Sequence, residues 1–208
     1  MTKFKIFLNY GKEEKWLELM AAQGYQLKKA SLVYSFDSAS PEQVSIRIDY
    51  RHFKNNRDFV DYCSLFEDGG WRHIVGTKNS GAQYFKKAQG ADADDIFSDA
   101  ASRAGRYKRL ADMMMSISIA FIIILLPMLL SGSFQWESFL NPKALYLTPG
   151  LWEMSGPTFW RHFLFETPFA LMRGFGWLFW LLFVFAYVFF TIKSWTLYKE
   201  TLKKDATE

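Results

Sequence analysis

The chain has 208 residues and a formal net charge of +4, with 50% hydrophobic, 19% aromatic and 22% charged residues. That aromatic content excludes a disordered chain, and the absence of a collagen or heptad period excludes fibrous architectures. A surplus of four charges, dispersed along the chain, is too small to argue for nucleic acid. The averages hide a division. Residues 1–112 hold 18 of the 25 basic and 15 of the 21 acidic residues, while two long charge-free runs lie beyond them.

Phe4, Ile6 and Leu8 alternate with Lys3 and Lys5, which predicts a half-buried strand. This stretch is too short for a signal-peptide core, and lysines interrupt it. Lys12–Gln23 places Trp16, Leu19, Met20 and Gln23 at helical spacing, and Gly24 sits where a helix ends. Leu32, Tyr34 and Phe36 alternate again. After a turn at Ser38–Pro41, Val44, Ile46, Ile48 and Tyr50 alternate with Ser45, Arg47, Asp49 and Arg51. Asn56–Glu67 puts Phe59, Tyr62, Cys63 and Phe66 on one helical face, ended by Gly69-Gly70. Trp71–Val75 and Gln83–Lys87 read as strands around a Lys78–Gly81 turn. The order β-α-β-β-α-β, with room for a last hairpin, predicts a ferredoxin-like α+β domain over residues 1–90. Its helices would cover one sheet face. The other would expose Lys3, Lys5, Phe7, Arg47, Asp49 and Arg51. Lys5, Arg47, Asp49 and Arg51 are therefore the candidate partner face, against the plainer reading of a solvated surface. Recognition of RNA would need paired aromatics on the central strands, where this face is charged.

No pattern of residues points to catalysis, a cofactor or a metal. His52, His73 and His162 have no zinc spacing. Asp49 with His52, or Glu67 with His73, could be drawn as an acid–base pair, but nothing supplies a nucleophile or an oxyanion hole. The glycines match no phosphate-binding motif and read as turn residues. The run Asp92, Asp94, Asp95, Asp99 fails as a calcium loop, with Ile96, Phe97 and Arg103 where a ligand, a glycine and a glutamate belong. It reads instead as the acidic flank of a helix capped by Ser98 or Asp99. The single cysteine, Cys63, cannot form an internal disulfide and reads as a small buried hydrophobe in a reducing compartment.

Residues 91–112 form a juxtamembrane linker and helix. Arg103, Arg106, Lys108 and Arg109 stand just before the first charge-free run, where basic residues contact anionic headgroups and set topology. A sharper role is a connector helix that relays a signal. Met113–Leu130 and Gly174–Ile192 carry no charge and are long enough, at about 27–29 Å, to cross a bilayer core. Neither contains an ionisable group, which speaks against a pump or proton-coupled transporter. Lys193, Lys199, Lys203 and Lys204 follow the second run, so both termini are expected in the cytoplasm of a two-pass protein of the cell membrane, with residues 193–208 as a tail. The connection, 131–173, would be external. It is rich in aromatics, including Trp136, Phe139, Trp152, Phe159, Trp160, Phe163, Phe165 and Phe169. Thr158–Met172 is expected to be an interfacial or re-entrant segment, with Arg161, His162 and Glu166 as its polar points; an external ligand groove is the alternative.

Several motifs together carry a resemblance: Glu14-Lys15-Trp16-Leu17 with Met20 and Gly24; Arg47-Ile48-Asp49-Tyr50-Arg51; Leu65-Phe66-Glu67-Asp68 with Gly70-Trp71; Gln83-Tyr84-Phe85-Lys86-Lys87; and Asp95-Ile96-Phe97-Ser98-Asp99 followed by Arg106-Tyr107-Lys108-Arg109. Over about residues 3–110 the chain resembles an uncharacterised bacterial membrane-protein family with an N-terminal domain of unknown function. The resemblance implies a regulatory setting, since such proteins tend to be encoded beside PadR-type repressors, mostly in Gram-positive bacteria. It supplies no catalytic residues. The expected function is a membrane-anchored, non-catalytic sensor or adaptor whose cytoplasmic domain docks a protein partner or a second copy, with the bilayer as its other partner. The alternative is a membrane stress or immunity protein acting through its external aromatic connection.

Overall fold

The computed structural model describes residues 1–91, 94–130 and 141–205. Asp92, Trp136 and Phe139, named above, lie outside the described residues. The elements are β1 (Thr2–Phe4), α1 (Tyr10–Ala22), β2 (Tyr25–Lys29), β3 (Val33–Ser38), β4 (Ile46–Tyr50), α2 (Asn56–Asp68), β5 (Trp71–Val75), β6 (Ala82–Lys87), α3 (Ala100–Leu130) and α4 (Gly156–Asp205). Short 3-10 turns at Pro142–Leu145 and Leu151–Glu153 precede α4. Two compact units divide the chain, one made of Met1–Asp112 with the end of α4 from Thr191, the other drawn from Met113–Phe190.

The α+β class and the two long apolar helices agree with the sequence. The strand pairing does not follow the expected single ferredoxin-like sheet. Among the described residues there are two antiparallel three-stranded sheets, ordered β1-β3-β2 and β4-β6-β5. Each is a strand–helix–hairpin unit, and the second unit repeats the first. Asn9 and Asn55, 46 residues apart, cap α1 and α2 by accepting the Lys12 and Asp58 N–H. At the other helix ends Gly24 and Gly70 have φ of 83° and 80°, left-handed values that favour glycine. Phe7 packs on Trp16 with ring centroids 5.3 Å apart, and Phe53 on Tyr62 at 4.8 Å. Trp16 meets Phe36 edge-on at 5.7 Å, as Tyr62 meets Phe85 at 5.8 Å. Lys5 lies 4.8 Å over Trp16, and Arg51 lies 5.6 Å over Tyr62.

Within Met113–Phe190, Phe121 stacks on Phe183 and Tyr187 and meets Trp180 at a tilt, with centroids 5.4–5.7 Å apart. Among the described residues two helices, over Ala100–Pro127 and Gly156–Lys204, are long and apolar enough to cross a membrane. Thr158–Met172 is not a separate segment. It is the first third of α4, which runs unbroken through Pro168. A proline here deletes one helical bond, and the neighbouring Thr167 hydroxyl donates to Phe163 O at 2.6 Å. The face of this stretch that bears Phe163 carries a small aromatic cap, in which Tyr146 stacks on Phe163 at 5.2 Å and Trp152 meets both rings. The buried Glu166 carboxylate holds that cap by accepting the Leu147 and Thr148 N–H, while Arg173 donates to Glu166 at 2.9 Å and to Leu145 O.

Candidate functional site: the α3 dock on the β4 edge

β4 is an edge strand of its sheet, and an uncovered edge is a row of unpaired N–H and C=O groups. Here charged side chains cover it. Glu18 and Glu14 of α1 accept the Ile46 and Ile48 N–H, each at 3.0 Å. The spacing explains the match: four residues of helix and two of strand both advance about 6–7 Å. Beside them α3 supplies donors to the carbonyls. Arg106 donates to Ile48 O at 2.7 Å and pairs with Glu14, and Arg109 donates to Tyr50 O and pairs with Asp49. Between these arginines Tyr107 accepts the Tyr10 N–H at 3.1 Å, with the two rings stacked.

The dock is buried. Arg106 is 5% exposed, Glu14 7%, and Asp49 and Glu13 3% each. Burial of a charge is tolerated only with partners. Arg106 lies 5.2–5.4 Å from the rings of Tyr10, Phe97 and Tyr107. Asp49 also accepts the Tyr62 hydroxyl at 2.8 Å. Glu13 accepts two hydroxyls, from Tyr34 and Tyr84, both at 2.7 Å. Burial pushes the Glu13 carboxyl above its ordinary value, against those two hydrogen bonds. Burial likewise pushes Glu14 up, and Arg106 pulls it back.

These positions correct two expectations. Lys5, Arg47, Asp49 and Arg51 do not make one open face. The pleat turns Arg47 and Asp49 toward Phe85 and Tyr62, under α2, because Arg47 pairs with Phe85 across β4 and β6. Asp49 is consumed by Tyr62 and Arg109, and Arg47 bridges Glu18 at 2.9 Å and Asp95 at 3.6 Å. Lys5 and Arg51 remain exposed, one in each repeat. Second, the juxtamembrane bases are not free for lipid as a set. Arg103 pairs with Asp95 at 2.9 Å, and Arg106 and Arg109 enter the dock. Their i, i+3 spacing puts them on one helical stripe facing the domain, and Lys108 alone of the four points outward.

Asp49 and His52 do not form the acid–base pair drawn from the sequence, for His52 bonds to the Tyr50 hydroxyl at 3.0 Å. His73 bonds to Gln83 at 3.1 Å. The sequence reading missed Glu13, Glu18, Tyr10 and Tyr34 as parts of a site. One signal was present: Glu14 and Glu18 repeat at one helical turn, as Arg106 and Arg109 do, so two stripes of opposite charge were written into separate helices. Asp99 does cap α3, accepting the Ser102 N–H at 2.7 Å.

No curated protein and no solved structure matches the chain. One family does, described as a protein of unknown function (DUF2812), over residues 9–119. The matched stretch begins at the cap of α1, takes in every residue of the dock and ends inside α3, and the chain belongs to that family.

Proposed function

We propose that the protein is a membrane-anchored, non-catalytic regulatory module in which α3 couples a bilayer span to a cytoplasmic sensor or adaptor domain. One observation supports this most: α3 is a single helix whose first turns are built into the domain by Arg106, Tyr107 and Arg109 and whose continuation is the charge-free run from Met113. The basic flanks support a topology with both termini in the cytoplasm. The resemblance to bacterial proteins encoded beside PadR-type repressors names such a repressor as the proposed partner, with a second copy of the chain as the other. The test is co-purification of the full chain from membranes, wild type beside Arg106→Ala. A partner held by one form and released by the other supports the reading. The absence of any partner, or equal retention by both forms, counts against it.

A second reading has its own support in the ordered aromatic cap around Tyr146, Trp152 and Phe163. In that reading the external segment acts in membrane stress or immunity. Glu166→Ala would then abolish a protective phenotype that Arg106→Ala leaves intact, and the reverse pattern favours the first reading.

A further inference from the structure

The two sheets of the N-terminal domain come together along β2 and β5, and a pocket opens beside that seam. Its walls are apolar: Leu17 and Ala21 from the end of α1, Leu27 of β2, Val44, Ile46 of β4 and Ile74 of β5. Its free volume is about 40 Å³, little more than the roughly 30 Å³ that one water occupies in the liquid. The pocket is therefore too narrow for a ring but admits the end of an aliphatic chain.

The mouth is wider and charged. A groove of about 530 Å³ shares Leu27, Glu42, Ile74 and Lys86 with the pocket and adds Arg72 and Lys87. Arg72 and Lys86 are direct partners across β5 and β6, so the pleat puts both on the same sheet face. Like charges at directly opposed positions destabilise a strand pair. Among the described residues that line the groove, Glu42 is the single carboxylate against Arg72, Lys86 and Lys87. Glu42 is taken by Lys86, and Lys87 is paired with Asp94 at 3.1 Å. Arg72 is exposed and makes no ion pair among the described residues. A thin apolar pocket below two opposed cations that share one counter-charge has the chemistry of a site for an aliphatic tail with an anionic head.

We propose that this site binds a short-chain aliphatic carboxylate, with its tail between Leu27, Ile46 and Ile74 and its head received by Arg72 beside Lys86. The guanidinium fork matches a carboxylate, and the added negative charge relieves the Arg72–Lys86 repulsion. The ligand enters beside the end of α1, the helix whose Glu14 and Glu18 close the β4 edge. That the carboxylate is a signal for the module rests on the regulatory reading above; its binding does not.

The test dialyses the full chain, in phosphatidylcholine nanodiscs, to equilibrium against radiolabelled hexanoate, with uptake by empty discs subtracted. Saturable binding is expected. Acetate, which lacks the tail, and hexanol, which lacks the charge, should each compete at least about tenfold more weakly. Arg72→Glu should weaken hexanoate binding at least about tenfold as well. It puts a carboxylate opposite Lys86 on an exposed position, so the denaturation midpoint should not fall, and lost binding then reports the site and not the fold. Uptake no greater than that of empty discs overturns the proposal. So does binding unchanged in Arg72→Glu, or competition by acetate or hexanol equal to that of unlabelled hexanoate. Hexanoate binding in a chain that retains no partner would leave the site standing and defeat the regulatory reading alone.

Discussion

The two repeats of the N-terminal domain share a backbone plan and differ in what fills it. In the first, α1 turns Glu13, Glu14 and Glu18 inward and toward β4. The positions 46 residues later in α2 are Phe59, Val60 and Ser64, which hold no charge. The edges differ to match. β4 has its outward N–H and C=O groups bonded by the charged side chains of Glu14, Glu18, Arg47, Arg106 and Arg109, whereas Thr2 and Phe4 of β1 have exposed side chains. One fold used twice thus yields one closed edge and one open one. The side chains of α1, not the backbone, select where α3 binds.

The comparison is sharpened first at the shared core. Phe36 and Phe85, 2% and 0% exposed, occupy matched positions. Truncation of either to alanine is expected to cost about 3–5 kcal/mol, read as the denaturation midpoint of the detergent-solubilised chain. Costs that differ several-fold would break the equivalence of the repeats. The dock should then break the symmetry. Arg106→Ala leaves Glu14 buried and unpaired, at an expected cost of about 3–5 kcal/mol. Lys108→Ala, on the outward side of the same turn, should change stability by less than about 0.5 kcal/mol. A similar loss for both would mean that α3 is not held by its inward stripe.

Smaller effects probe the caps and the buried acid. Asn9→Ala and Asn55→Ala should each cost about 1 kcal/mol, because each removes one acceptor from a helix N-terminus. Calorimetry showing one loss without the other would leave only one cap functional. The finest difference is a pH slope. The Glu13 carboxyl is raised above its ordinary value of 4.5, so between that value and its raised one the folded chain binds more protons than the unfolded chain. Stability from this group is therefore greatest at low pH and falls as pH rises through the raised value. Glu13→Gln should flatten that slope, and a Glu13→Gln chain with the wild-type slope would assign it elsewhere.

Much of this was legible in the sequence. The helix over 56–68 announced itself through Phe59, Tyr62 and Phe66 at helical spacing, and α3 and α4 through their charge-free runs. The repeat was hidden because β2, Tyr25–Lys29, buries a single side chain, Leu27, and reads as a polar loop. With β2 missing, the first unit looks like half of a ferredoxin-like plait. Three extra residues in the second hairpin, 76–81 against 30–32, also break the 46-residue offset before β6. The dock was invisible for another reason. Alternation in Arg47-Ile48-Asp49-Tyr50-Arg51 reports two faces without saying which one a helix covers, and only tertiary packing decides that. Arginines beside an apolar run look like lipid contacts until the fold places Glu14 and Asp49 beneath them.

Hydrogen exchange of the two edge strands in the reconstituted full chain tests the central claim most directly. The amides of Ile46 and Ile48 should exchange at least about a hundredfold more slowly than those of Thr2 and Phe4, with that protection falling in Arg106→Ala. Equal exchange at the two edges, or β4 protection indifferent to Arg106, would contradict a closed dock that ties the domain to its helix.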